Sequence, residues 1–162
     1  MHHALTGGIL RGNGCWIYQK SFFKYLKFII KFDYFRGRWV GVLTRENDNT
    51  QHEFVMEIRQ KASLIWIKTF SKRSSSYSLT SQILTDDSEN DFSLGFYWQG
   101  QSGGIESISA PKGIFHGFTL VKLFENEKPK RLSGNYFTGR DPQTKGMIDL
   151  KFDSDILQEK LA

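Results

Sequence analysis

The sequence predicts a mainly β protein, an eight-stranded antiparallel up-and-down β-barrel preceded by one amphipathic N-terminal helix. Three observations carry that expectation. About eight short runs with period-two alternation follow one another from Gly37 to Phe152, separated mostly by brief polar turns. Eight is also the strand number at which a closed barrel is either filled by side chains or holds one small ligand. Finally, Gly37, Gly41, Gly95, Gly117 and Gly134 fall inside these runs, where glycine weakens a strand and marks bends or close approaches. A two-sheet sandwich satisfies the same strand count.

Composition fits one soluble domain. The chain has 162 residues, 39% of them hydrophobic and 15% aromatic, enough to bury a core and poorly suited to disorder or a coiled coil. The single cysteine, Cys15, provides neither an internal disulfide framework nor a cysteine-rich metal site, which points to a reducing cytoplasm. Residues 1–34 hold five of the 22 basic and one of the 17 acidic side chains, so they carry +4 of the formal +5 charge. The remainder is nearly neutral and lacks the broad basic footprint of a DNA- or RNA-polymer binder.

Met1 to Gly14 is glycine-rich and aperiodic, and reads as a flexible leader. From Cys15 to Phe35 a helical period puts Lys20, Lys24, Lys27 and Lys31 in one narrow stripe. The rest of that circumference holds Phe22, Phe23, Leu26, Ile29 and Ile30 among others, an apolar arc that requires a cover. Four lysines spoil a transmembrane span, and the small-residue site of a cleaved signal peptide is missing. Two readings stay open. The helix either lies on an anionic membrane surface, or packs on the barrel or a second subunit, with Lys20, Phe23, Lys24, Leu26, Lys27, Ile30 and Lys31 in contact.

The barrel domain is expected over residues 36–152. Gly37 to Glu46 and Gln51 to Gln60 form a hairpin around Asn47-Asp48-Asn49, with Phe54, Met56 and Ile58 on one face. Ala62 to Ser71 aligns Ile65, Ile67 and Thr69. Ser74 to Leu84 aligns Ser74, Ser76, Ser78 and Thr80. After the acidic loop Asp86 to Asn90, Asp91 to Gln99 aligns Leu94, Phe96 and Trp98. The glycine-rich stretch from Gly100 through Pro111 is the longest connection, suited to gating an open end. Gly113 to Glu125 aligns His116, Phe118 and Leu120, and Arg131 to Arg140 aligns Leu132, Gly134, Tyr136, Thr138 and Arg140. Lys145 to Phe152 closes the set with Ile148 and Leu150, and residues 153–162 form a polar tail with room for one helical turn.

Catalysis finds little support. The sequence has no nucleophile elbow, no phosphate-binding glycine loop with lysine, and no zinc-ligand spacing. A binding module without cofactor or metal is the expectation. Ser74, Ser76 and Ser78 offer compact donors and acceptors if they point inward, or form a solvated edge strand. Trp39 and Phe96 read as core, whereas Trp98 and Tyr136 lie near strand ends where they can stack on a base. His116 is either a hydrogen-bonded structural residue or part of a mouth. Arg140 offers a planar fork to a phosphate, or is a turn arginine beside Asp141.

The ordered set Gly37-x-Trp39-x-Gly41, Ile58-Arg59-Gln60, Ser74 to Ser78, Leu94-x-Phe96-x-Trp98, His116-Gly117 and Leu132-x-Gly134-x-Tyr136-Phe137-Thr138 resembles the β-barrel domain of the two-transmembrane, β-strand-rich effectors of bacterial CBASS antiphage systems. The resemblance covers residues 34–152. It implies a sensor for a cyclic di- or trinucleotide, placed in the bacterial cytoplasm or on the cytoplasmic face of the inner membrane. Ligand binding in such a sensor drives assembly and membrane damage. Family members place two apolar spans before the barrel, whereas this sequence has the lysine-striped segment, which leaves open a truncated transmembrane region or a native amphipathic helix. Two other classes compete. A lipocalin-like carrier of an apolar ligand predicts a cavity lined by Phe54, Ile67 and Phe118, and a filled barrel predicts only an oligomerisation or docking module.

Overall fold

The computed structural model describes residues 35–61, 64–72, 74–86, 91–102, 113–139 and 143–161. Among them, eight strands pair in chain order and close on themselves. The strands are β1 (Gly37–Arg45), β2 (Gln51–Lys61), β3 (Leu64–Ser71), β4 (Ser74–Asp86), β5 (Asp91–Ser102), β6 (Ile114–Phe124), β7 (Arg131–Thr138) and β8 (Lys145–Ser154). Every neighbouring pair is antiparallel, and β1 meets both β2 and β8. The predicted barrel is thus the observed architecture. The predicted N-terminal helix, with Lys20, Phe23, Lys24, Leu26, Lys27, Ile30 and Lys31, lies outside the described residues.

The alternation read from the sequence settles which side chains turn inward. Trp39 pairs with Met56, Met56 with Thr69, and Ile58 with Ile67, so one inner layer runs across three strands. One end of the barrel, here called the base, holds the starts of β1, β3, β5 and β7 and the ends of β2, β4, β6 and β8. The opposite end, the rim, holds the ends of β1, β3, β5 and β7 and the starts of β2, β4, β6 and β8. The base half is filled by Phe35, Trp39, Ile58, Ile65, Leu94, Leu123, Leu132 and Leu150, all buried. Trp39 is fixed there by its Nε1, which donates to the Phe35 carbonyl at 2.9 Å, and by an edge-on contact with Phe152 at 5.2 Å. A buried tryptophan satisfies its polar edge in this way without giving up its apolar area.

The outer face of β1 and β2 departs from simple alternation. Arg38 and Glu57 face each other across the strands on the side that alternation assigns to solvent, yet they are only 1% and 3% exposed. Their ion pair, at 2.7 Å, is covered by the C-terminal segment. The Glu57 carboxylate accepts the backbone N–H groups of Gln158 and Glu159 at 2.8 and 3.0 Å, and Arg38 donates to the Lys160 carbonyl at 2.8 Å. Glu159 reaches on to Arg59 and Lys68. Residues 155–161 therefore form an irregular strap over β1–β3, and the helical turn expected in the tail is absent among them. The strap replaces water around two charges that would otherwise demand it.

Candidate ligand-binding site

Two walls of different chemistry meet at the rim. The first belongs to β3 and β4, whose register sets Ser71 against Ser74 and Thr69 against Ser76. The Ser71 and Ser74 hydroxyls are 2.9 Å apart, and those of Thr69 and Ser76 2.6 Å. Backbone pairing between these strands spans only Lys68–Ser71 against Ser74–Tyr77. Beyond it, serine side chains bridge the seam. Ser78 Oγ accepts the Ile67 N–H at 2.9 Å, and Ser81 Oγ donates to the Ile65 carbonyl at 2.5 Å. Ser74, Ser76 and Ser78 are thus half-buried inner-face residues. A hydroxyl offers one donor and two acceptor sites, so one such bond leaves capacity for a polar ligand.

The second wall is built around β7, four strands from β3 in the closed ring and so on the opposite side. Its inner residues Tyr136 and Thr138 are flanked by glycines, because Thr138 pairs with Gly117 and Tyr136 with Gly146. A Cβ on Gly117 would lie 2.3 Å from the Trp98 ring and 2.4 Å from the Phe137 carbonyl oxygen, so only glycine lets the indole settle there. Trp98 donates from Nε1 to Thr119 Oγ1 at 3.0 Å and meets Phe115 edge-on at 5.7 Å. Thr138 ties the end of β7 to the approach to β8, with its hydroxyl 2.8 Å from that of Thr144. Tyr136 is 6% exposed, and burial raises its phenol above the ordinary value. Arg45 opposes that shift and Asp48 adds to it, so both charges act on the Tyr136 hydroxyl. Hydrogen bonds from Thr50 hold the Asp48 carboxyl below the usual range.

The structure brings Ser74, Ser76, Ser78, Trp98, Tyr136 and Thr138 onto the inner face. His116 is not with them. Its neighbours Phe115 and Gly117 take the inner positions, and His116 stacks flat on Tyr97 outside the barrel at 5.7 Å. The alignment of His116 with Phe118 and Leu120 holds, but it belongs to the outer face. Phe118 packs there against Phe137, which removes it from the apolar cavity lining expected with Phe54 and Ile67. Arg140 lies outside the described residues. Sequence reasoning left Arg45, Ser71 and Thr119 unnamed as site residues, although Arg45 shares parity with Trp39, Gly41 and Leu43.

No curated protein matches the chain. The model of the family described as Cap15, cyclic dinucleotide receptor domain, matches residues 30–151, about three quarters of the chain. That span includes seven whole strands and most of β8, and it coincides with the stretch whose motifs resemble a CBASS effector barrel. Three quarters of the sequence, the closed barrel and the ordered motifs agree, and the chain belongs to the Cap15 cyclic dinucleotide receptor domain family.

Proposed function

We propose that this barrel is the sensor of a CBASS antiphage effector and binds a cyclic dinucleotide at its rim. It acts as a receptor and catalyses no reaction. The observation that carries the reading is the pairing of two walls at one end, hydroxyls on β3–β4 and aromatic rings on β5 and β7. A cyclic dinucleotide presents flat bases and a ribose-phosphate ring, and these need stacking surfaces and hydrogen-bonding groups respectively. In this reading a base stacks on Trp98 or Tyr136, and Ser74 and Ser76 serve the polar ring. Arg140, next in alternation after Thr138, is a further cation for phosphate. Ligand binding then leads to self-assembly and, through residues 15–35 at an anionic inner-membrane surface, to membrane disruption from the cytoplasmic side.

Calorimetric titration of the full chain with a panel of cyclic di- and trinucleotides tests the receptor step, with dye-loaded anionic vesicles as a second arm. The expected result is saturable binding of at least one dinucleotide and ligand-dependent dye release. A folded barrel that binds none of the panel overturns the receptor reading. Binding without leakage overturns the membrane step alone.

A further inference from the structure

His52 stands on the inner face of β2 at the rim. It alternates with Phe54, Met56 and Ile58 of the core, and it is half-buried between the exposed Gln51 and Glu53. Directly opposite on β1 is Leu43. Phe54 pairs with Ser71, so Ser71 is the diagonal neighbour of His52, roughly 7–8 Å away between backbones in an antiparallel pair and within reach of a ring. Ser71 in turn meets Ser74. An imidazole therefore continues the hydroxyl wall of β3 and β4 onto β2, whereas His116, the other histidine among the described residues, is turned outward onto Tyr97.

A short chain of polar atoms decides which ring nitrogen of His52 carries the proton. The Thr50 hydroxyl donates its one hydrogen to Asp48 Oδ1 at 2.6 Å, so toward the ring it can only accept. Its contact with His52 Nε2, a long one at 3.5 Å, thus calls for Nε2–H. In the neutral ring Nδ1 is then an acceptor, and it becomes a donor only when the imidazole takes up a second proton. The charged groups on the surrounding elements are Arg45 at the end of β1, Asp48 between β1 and β2, and Lys72 after β3. Hydrogen bonds from Thr50 hold the Asp48 carboxyl below its usual range, so its charge stays constant over the span where imidazoles titrate. A phosphodiester oxygen only accepts hydrogen bonds. Thr69, Ser71, Ser74, Ser76 and Ser78 offer it neutral donors, and a charged donor binds an anion about twice as strongly.

We infer that His52 is the phosphodiester contact of the hydroxyl wall, taking a proton from solvent as the cyclic dinucleotide binds, so that Nδ1–H faces the anion beside Ser71. The assignment rests on the rim being the ligand site, and it makes recognition there sensitive to pH.

The test is calorimetry with the cyclic dinucleotide that binds the wild-type chain most tightly, at about pH 5.5 and about pH 7.5, on the wild type, His52→Gln and the outer-face control His116→Gln. Circular dichroism melts verify that each variant folds. The wild type and His116→Gln are expected to bind about 10-fold more tightly at the lower pH. At the higher pH they take up a proton on binding, seen as a binding enthalpy that varies with the ionisation heat of the buffer. His52→Gln is expected to bind more weakly at the lower pH and to lose both the pH dependence and the proton uptake. Wild-type affinity and pH dependence in His52→Gln would overturn the assignment while leaving the receptor reading in place, as would wild-type binding that does not vary with pH. Silence of the wild-type chain across the panel of cyclic nucleotides would overturn both.

Discussion

Tyr136 shows how one residue reports on its surroundings. Its phenol is held above the ordinary value near 10, first by burial and then by the Asp48 charge, against the pull of Arg45. The folded state therefore keeps this proton more tightly than the unfolded chain. The resulting contribution to stability is complete below the unfolded value and is lost as pH rises through the folded one. The urea stability of wild type relative to Tyr136→Phe should accordingly be level below the ordinary phenol value and fall as pH rises above about 10. An unchanged difference over that range would mean that the phenol is not held in a low-dielectric site. The prediction concerns folding alone and is independent of any ligand.

The element that distinguishes this barrel is the β3–β4 seam, where serine hydroxyls replace part of the backbone ladder. Ser78→Ala removes the acceptor of the Ile67 N–H, and an unsatisfied buried donor costs about 1–3 kcal/mol. Hydrogen exchange should show the Ile67 amide opening earlier in this variant, with β6–β7 amides unchanged. Uniform acceleration around the barrel would instead mean that the seam has no local role. Strand positions and inner faces were legible in the sequence, because half-buried strands stamp a period of two on side-chain choice. Phe54, Met56 and Ile58, or Leu132 and Tyr136, could be placed from that period alone. Hydroxyl partners could not be, since they depend on register between strands, and register is set by turns and by the break in pairing near Ser78. His116 illustrates the remaining difficulty. Its own strand alternates cleanly between two largely apolar faces, and only pairing with β5 and β7 decides which face is inside.

At the scale of the whole barrel, one buried cluster runs from the base into the rim half, where Phe54, Trp98, Tyr136 and Ile148 join it, and the half-buried serines of β4 line the polar side of the rim. The Arg38–Glu57 pair belongs to the base half but lies outside the wall, and it depends on residues 158–160. Glu57→Ala leaves buried Arg38 with only the longer, half-exposed contact to Asp153 at 3.5 Å and should cost about 3–5 kcal/mol in urea unfolding, with little effect on rim binding. A loss below about 1 kcal/mol would show that water already reaches the pair. This dependence also carries the folded unit past its last strand. The family match ends at residue 151 and β8 ends at Ser154, yet the ladder is complete before its outer charges are covered. A fragment cut at the end of the last strand would keep every strand and still hydrate Arg38 and Glu57. For the same reason, a fusion partner joined after residue 161 leaves from the flank of β1–β3, not from either open end. A pair of charges thus makes residues beyond the closed sheet part of the stable molecule.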